Sequence, residues 1–182
     1  MTMSLPTMHT FIAYVDDQPG VLNRVVSLFR RRAYNIESLT VGRTDRDGIS
    51  RITLVMSADD DQALRIAANL YKLVNVIRVE DITHAASVSR DLALVKVRAD
   101  AETRAQVLQI CEVFRARVVD VGSHALMVEI TGTQEKLDGL VDVLRPFGIL
   151  EMVRTGAIAM TRGAGERVET KQPASVGDDV AA

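Results

Sequence analysis

The sequence contains little from which a disulfide framework or an aromatic core could be built. Its 182 residues include one cysteine and no tryptophan, and aromatic residues make up only 4%. A single cysteine excludes disulfides within the chain, so Cys111, which lies among apolar neighbours, is expected to be a small core residue. Hydrophobic residues still make up 47% of the chain. We therefore expect a sizeable core built from Val, Leu, Ile, Ala and Met.

Strong net charge and long apolar runs are also missing. The net charge is −2, which gives no reason to expect binding to nucleic acid or to anionic lipid. No stretch approaches the roughly 20 apolar residues that span a bilayer. The N-terminus has no basic segment followed by an apolar run, so we expect no secretory signal. These absences predict a cytoplasmic protein.

The order of predicted elements is the same in the two halves of the chain, β-α-β-β-α-β. In each half, alternating apolar residues indicate strands, and apolar residues at spacings of three and four indicate helices. In the first half the strands are expected at 8–15, 35–43, 49–57 and 73–83, with helices from Val21 and from 59–61. In the second half the strands are expected at 92–97, 117–121, 125–130 and 148–160, with helices over 101–114 and around 137–144.

This order predicts an α+β protein with tandem ferredoxin-like domains, each a four-stranded antiparallel sheet with two helices on one face. The expected domains are 8–83 and 91–162, joined by a linker at 84–90. The segment 163–182 has six charged residues and few large apolar ones, and we expect it to be disordered. Each sheet leaves edges and one face uncovered, which favours dimerisation.

The loop Asp16–Leu22, with the sequence DDQPGVL, is the most informative local feature. Pro19 suits the first turn of a helix, and Gly20 permits close approach of another molecule to the backbone. The amides of Gly20, Val21 and Leu22 could then hold a carboxylate at the helix N-terminus. The carboxylate of Asp17 could accept from an ammonium group. The same pattern is more often just an ordinary turn that caps a helix.

Other patterns with possible chemistry carry less information. His9, His84 and His124 are scattered along the sequence without a cysteine or carboxylate at ligand spacing, so no metal site is expected. The sequence has no nucleotide-binding glycine motif and no recognisable catalytic group. Arg30–Arg32 is expected to be a solvated helix end or a contact surface for a partner.

Several segments together resemble the regulatory subunits of acetolactate synthase. Residues 19–42, PGVLNRVVSLFRRRAYNIESLTVG, resemble the family pattern PGVLxRVxxLFxRRGxNIESL, with Ala33 where Gly is common. The further matching segments are YKLVNVIRVED (71–81, similar to HKLVDV), RDLALVKV (90–97), FRARVVDV (114–121) and TGTQEKLDGL (131–140). The resemblance extends over roughly residues 8–162.

The resemblance implies that the N-terminal domain is an ACT domain, a ferredoxin-like module that binds amino acids. Two such domains would pair side by side in a dimer and bind valine at their interface. The amides of Gly20, Val21 and Leu22 would hold the carboxylate, and Asp17, which is Asn in some relatives, would lie beside the polar end of the ligand. Asn35 and Ile36 of the facing chain would close the site.

The resemblance further implies a non-catalytic subunit in the biosynthesis of valine, leucine and isoleucine. Its partner would be the catalytic subunit, which uses thiamine diphosphate, Mg²⁺ and FAD, and this chain carries no motif for these cofactors. Association would raise catalytic activity, and bound valine would lower it. Leucine or isoleucine would fit the same pocket, and the homodimer could be part of a larger oligomer.

Two other functions are compatible with tandem ferredoxin-like domains. A stand-alone amino-acid sensor that regulates transcription would need a DNA-reading module, and no helix-turn-helix precedes the first predicted strand. An enzyme is also possible on this fold. It would need a set of acid, base or nucleophile, and the sequence suggests none.

Overall fold

A computed structural model describes residues 6–163. The chain divides into two compact units. The first unit consists of two segments, the residues up to Ser87 and those from Thr161 onward, and the second unit is Val88–Met160. Apart from Gly163, the tail predicted to be disordered lies outside the described residues.

The first unit has six regular elements in the predicted order. They are β1 (Thr7–Asp16), α1 (Val21–Arg31), β2 (Ser38–Arg43), β3 (Ile49–Ala58), α2 (Asp60–Tyr71) and β4 (Val76–Asp81). The strands form an antiparallel sheet in the order β2-β3-β1-β4. The strand predicted at 35–43 begins only at Ser38, and α2 begins with a capping box in which Asp59 accepts from the backbone N–H of Gln62.

The second unit repeats this order and adds a strand. Its elements are β5 (Ser87–Arg98), α3 (Arg104–Phe114), β6 (Arg117–Val121), β7 (Ala125–Gly132), α4 (Gln134–Leu144), β8 (Ile149–Arg154) and β9 (Ile158–Thr161). The sheet order is β6-β7-β5-β8, and β9 pairs with β5. The prediction of one last strand over 148–160 was wrong, because Gly156, at φ +97°, separates β8 from β9. Residues 87–90 of the expected linker are the beginning of β5.

Each unit buries its own apolar core between the sheet and its two helices. Alternate residues of β1 and β3 meet the faces of α1 and α2 in the first core, as period-two strands and amphipathic helices require. The second core follows the same rule with β5, β7, α3 and α4. Cys111 is a buried residue of this core, and burial raises the pKa of its thiol. The prediction of an α+β tandem ferredoxin-like fold is confirmed.

The C-terminal end of α1 places Ala33 in a backbone conformation that glycine adopts more easily. Ala33 has φ +55°, a left-handed conformation that L residues adopt at a cost. Its N–H donates to Arg30 O at 3.2 Å, and the N–H of Tyr34 donates to Phe29 O at 3.1 Å. The rings of Phe29 and Tyr34 make an edge contact at 6.0 Å. These features define a Schellman motif, which ends the helix and turns the chain toward β2.

Replacing Ala33 by glycine is therefore expected to stabilise the first unit by about 0.5–1 kcal/mol, because the gain from relieving the left-handed backbone exceeds the entropy cost of glycine. Ala68→Gly, inside α2, is the matched control and should destabilise by about 1 kcal/mol. Urea unfolding of the full chain measures both free energies. Equal destabilisation by the two substitutions would contradict the assignment of strain to Ala33.

Candidate functional site

The loop that joins β1 to α1 presents the start of the helix without a side-chain cap. Gly20 occupies the N-cap position with φ +88° and ψ −9°, and no side chain hydrogen-bonds to this end of the helix. The helix begins at Val21, so Pro19 precedes it, and the prediction that Pro19 lies in the first turn was wrong. The positive φ at Gly20 explains the difference, since the chain must reverse there before the helix can begin.

Two of the three amides proposed as ligand donors have no acceptor among the described residues. The N–H of Val21 donates to Gln18 O at 3.3 Å, so it takes part in the turn itself. Across residues 6–163, the structure assigns no acceptor to the N–H of Gly20 or of Leu22. A Cβ at Gly20 would meet nothing within 4 Å. An anion could therefore approach this end of α1, where the helix dipole favours negative charge.

Asp17 lies between this loop and the turn that joins β2 to β3. Its backbone N–H donates to Gly48 O at 2.8 Å. One carboxylate oxygen lies 3.6 Å from Nε of Arg43, and the Asp17 side chain is 42% exposed. An exposed pair of this kind contributes little stability. The carboxylate therefore remains accessible to a positively charged ligand group.

Asn35 and Ile36 lie beyond the other end of α1, in the segment before β2. Asn35 is exposed, and its Nδ2 donates to Oε1 of Glu37 at 2.5 Å, while Ile36 packs against the first core. The 11 residues of α1 correspond to a length of about 16 Å. The structure thus brings Asp17, Gly20, Val21 and Leu22 together and holds Asn35 and Ile36 a helix length away in the same chain.

A cavity in the first unit does not coincide with the predicted effector residues. Its volume is about 170 Å³, and it lies beside the turn between β2 and β3. Its lining residues are Tyr14, Thr44, Asp45, Arg46, Ile49, Ile77 and Arg78. None of the six predicted effector residues contributes to it. We give more weight to the unpaired amides of the loop, because they supply specific donors for a ligand.

Sequence reasoning missed the residue that connects this loop to β4. The carbonyl of Asn75 accepts from the N–H of Asp16 at 3.0 Å. Its side chain donates to Oδ2 of Asp16 at 3.1 Å and accepts from a guanidinium nitrogen of Arg24 at 2.8 Å. Asn75 lies in the segment 71–81 that resembles the family pattern HKLVDV, which has Asp at this position, but local sequence does not show its role because its partners lie 59 and 51 residues away.

The equivalent loop of the second unit is closed by its own side chains. The carboxylate of Asp100 accepts from the backbone N–H groups of Glu102 at 3.1 Å and Thr103 at 2.9 Å. It also accepts from the Thr103 hydroxyl at 2.8 Å. Arg104 donates to the carbonyl oxygens of Ala99, Gly122 and Ser123. In this loop the N–H groups of Glu102 and Thr103 are therefore held by Asp100, whereas within residues 6–163 no acceptor is assigned to those of Gly20 and Leu22, and we take the first unit as the better candidate for ligand binding.

The hydrogen bonds at Asp100, first that from the Thr103 hydroxyl and then that from the Thr103 backbone, hold the pKa of Asp100 below its ordinary value of 3.8. The stabilisation is present above the ordinary pKa and is lost as the pH falls through the lowered one. We expect Thr103→Val to raise this pKa and Thr103→Ser, which keeps the hydroxyl, to leave it low. Carbon-13 NMR titration of the carboxyl group measures both. A pKa unmoved by the valine substitution would refute the assigned cause.

Two of the histidines that are scattered in sequence meet in the structure. His9 is buried, and its Nδ1 donates to Oδ2 of Asp81 at 3.0 Å. Oδ1 of Asp60 lies 3.8 Å from Nε2 of both His9 and His84. Within residues 6–163 no group of three or more His, Cys, Asp or Glu side chains is arranged to hold a metal ion. We interpret the cluster as a polar connection between β1, α2 and β4.

Arg30 and Arg31 occupy the last turn of α1, and Arg32 follows as the C-cap. All three side chains are exposed, as expected of a solvated helix end. Among the described helices, none is long and apolar enough to cross a membrane.

The fold and the loop together define the class of protein. Tandem ferredoxin-like units, the first with a glycine loop before its first helix, fit an ACT-type protein, and the family models agree with this class. The family model for the "AHAS small subunit-like ACT domain" matches residues 11–78, and that for the "Small subunit of acetolactate synthase" matches residues 90–163. The chain belongs to the family of acetolactate synthase small subunits.

Individual relatives agree with this family over most of their length. The acetolactate synthase small subunit of Mycolicibacterium smegmatis is 48% identical over 163 residues, which cover 90% of this chain and 95% of that protein. The probable acetolactate synthase small subunit of Archaeoglobus fulgidus is 45% identical, covering 85% and 97%. The crystal structure of the small subunit from Thermotoga maritima superposes with a TM-score of 0.81 at 35% identity, covering 86% and 98%.

Proposed function

We propose that this chain activates the catalytic subunit of acetolactate synthase and makes it sensitive to feedback inhibition by a branched-chain amino acid, with valine preferred. The observation that carries the proposal is the uncapped start of α1, where the N–H groups of Gly20 and Leu22 have no assigned acceptor within the described residues. Membership of the small-subunit family supports an amino-acid effector as the ligand of this loop. The effector would be an end product of the pathway, namely valine, leucine or isoleucine.

The chemistry of the loop suits the two charged ends of a free amino acid. The amides of Gly20 and Leu22 would donate to the carboxylate, with help from the helix dipole. The half-exposed carboxylate of Asp17 would accept from the ammonium group. Val21 would shape the loop through its hydrogen bond to Gln18. The apolar side chain of the effector would then point away from the loop toward a second surface.

A second copy of the chain would provide that surface. Within one chain, α1 separates the loop from Asn35 and Ile36 by about 16 Å, too far for one small amino acid to touch both. A two-fold pairing would bring Asn35 and Ile36 of one chain to the loop of the other. Its expected contact surface includes β2, an edge strand of the first sheet. Apolar side chains exposed nearby support this pairing, namely Leu22, Val26 and Val41.

An effector at this interface explains how binding could alter activity. A ligand that touches two chains favours the pairing that holds it, and its binding energy then shifts the assembly toward that geometry. The catalytic subunit would respond through its contacts with the small-subunit dimer. Thiamine diphosphate, Mg²⁺ and FAD would be bound by the catalytic subunit, so this chain would act only through association.

Reconstitution of the two subunits tests the proposal. The full chain would be co-purified with its catalytic subunit, and acetolactate formation would be measured with and without each of valine, leucine and isoleucine. We expect higher activity on association and inhibition that is strongest with valine. If the chain associates with the catalytic subunit but none of the three amino acids lowers activity, the feedback function is refuted.

Gly20→Asp is expected to abolish the response to valine, because its carboxylate would repel that of the effector at the same end of α1. Gly20→Asn is the matched control, since it has nearly the same size and must adopt the same positive φ, which Asn tolerates. The control should keep measurable inhibition at higher valine concentration. Valine titrations of the reconstituted enzyme measure both. An unchanged response in the aspartate variant would contradict the carboxylate site.

A further inference from the structure

The loop between β1 and α1 is held from outside by the turn that precedes β4. Asn75, in this turn, makes three hydrogen bonds to residues that flank the loop. Its carbonyl accepts from the N–H of Asp16 at 3.0 Å, and its Nδ2 donates to Oδ2 of the same residue at 3.1 Å. Its Oδ1 accepts from a guanidinium nitrogen of Arg24 at 2.8 Å.

These contacts fix the loop at both of its boundaries. Asp16 is the last residue of β1, and Arg24 lies in the first turn of α1, where its backbone N–H donates to Gly20 O at 3.1 Å. The residues between them make two short-range bonds of their own, from Gln18 to Asp16 O and from Val21 to Gln18 O. Within the part of the chain that the structure describes, two contacts of Asp17 tie the middle of the loop to other elements: its N–H donates to Gly48 O, and its exposed carboxylate lies 3.6 Å from Nε of Arg43.

We propose that Asn75 is a positioning residue for effector binding, a role that rests on the function proposed above. It makes no contact with the effector. Its side-chain amide fixes the distance and orientation between the end of β1 and the start of α1, so the N–H groups of Gly20 and Leu22 are held in place before the effector arrives. Preorganised donors bind more tightly, because less conformational entropy is lost on binding.

The chemical identity of this side chain matters because it donates one hydrogen bond and accepts another at the same time. Its Nδ2 donates to a carboxylate, and its Oδ1 accepts from a guanidinium. A carboxylate at position 75 could accept from Arg24 but would face the carboxylate of Asp16 at hydrogen-bond distance. Asn75→Asp would therefore break the bond to Asp16 and add repulsion, with almost no change in size.

Exchanging the two side chains should restore the arrangement. In the double variant Asp16→Asn with Asn75→Asp, the amide and the carboxylate change places, so position 16 again pairs with position 75. The carboxylate at position 75 still accepts from Arg24. A residue that merely supported the fold would show rescue of stability alone, so the readout that distinguishes a positioning role is rescue of valine affinity.

The experiment measures valine affinity of the full chain by isothermal titration. Asn75→Asp should weaken binding by about tenfold, as the loss of one hydrogen bond to a charged group implies, and the exchanged pair should return to within about threefold of the wild type. Val79→Ala is the matched control, because it destabilises the same unit from its buried core without touching the loop. It should leave the affinity unchanged below its unfolding temperature.

Amide hydrogen exchange separates this proposal from the proposed function. Asn75→Asp should speed exchange of the Asp17 and Val21 N–H groups, and the exchanged pair should slow it again, whether or not the chain binds valine. Unchanged exchange rates, or no rescue by the exchanged pair, would overturn the positioning role. If the wild type binds none of the branched-chain amino acids while these exchange rates respond as expected, the proposed function fails and the positioning of the loop stands.

Discussion

The register of β1 against its two neighbours brings the start of the candidate loop together with its partners. β1 pairs with β3 over ten residues, from Thr7 opposite Ala58 to Asp16 opposite Ile49. This ladder ends where the turn before β3 begins, so Asp17 meets Gly48. On the other side, a bulge between Tyr14 and Val15 shifts the pairing with β4. Val15 is then opposite Val76, and Asn75 falls next to Asp16. A slip of one residue would turn the core face of β1 toward solvent and separate these partners.

The two units use one scaffold and differ in how their first helices begin. Both α1 and α3 end with the same hydrogen-bond pattern around a left-handed residue, Ala33 in the first unit and Arg115 in the second. Both helices begin without a side-chain cap, after Gly20 in the first unit and after Thr103 in the second. In the second unit the carboxylate of Asp100 holds the N–H groups of Glu102 and Thr103 just before the helix, whereas within residues 6–163 no acceptor is assigned to the N–H of Gly20. The units therefore differ in the loops before these helices rather than in their fold.

The length of α1 implies that a complete candidate site needs two copies of the chain. Its two ends carry the two groups of predicted effector residues, and a rigid helix cannot bring them together within one chain. The effector would therefore bind only where two chains pair. This dependence would suit a protein that regulates a separate catalytic subunit. The proposed role of Asn75 concerns a single chain, since its contacts would set the shape of one half of the site before two chains pair.

The sequence by itself determined the order of elements, the core faces of the strands and helices, the loop around Gly20 and the resemblance to a family. These features depend on residues within one or two turns of each other, and local periodicity and turn chemistry encode them. The starting residue of α1, the division of the last predicted strand at Gly156, the meeting of His9 with Asp81 and the contacts of Asn75 were decided by tertiary structure. The last two join residues 72 and 59 positions apart, and only the registers of β1 with β3 and β4 bring such residues together.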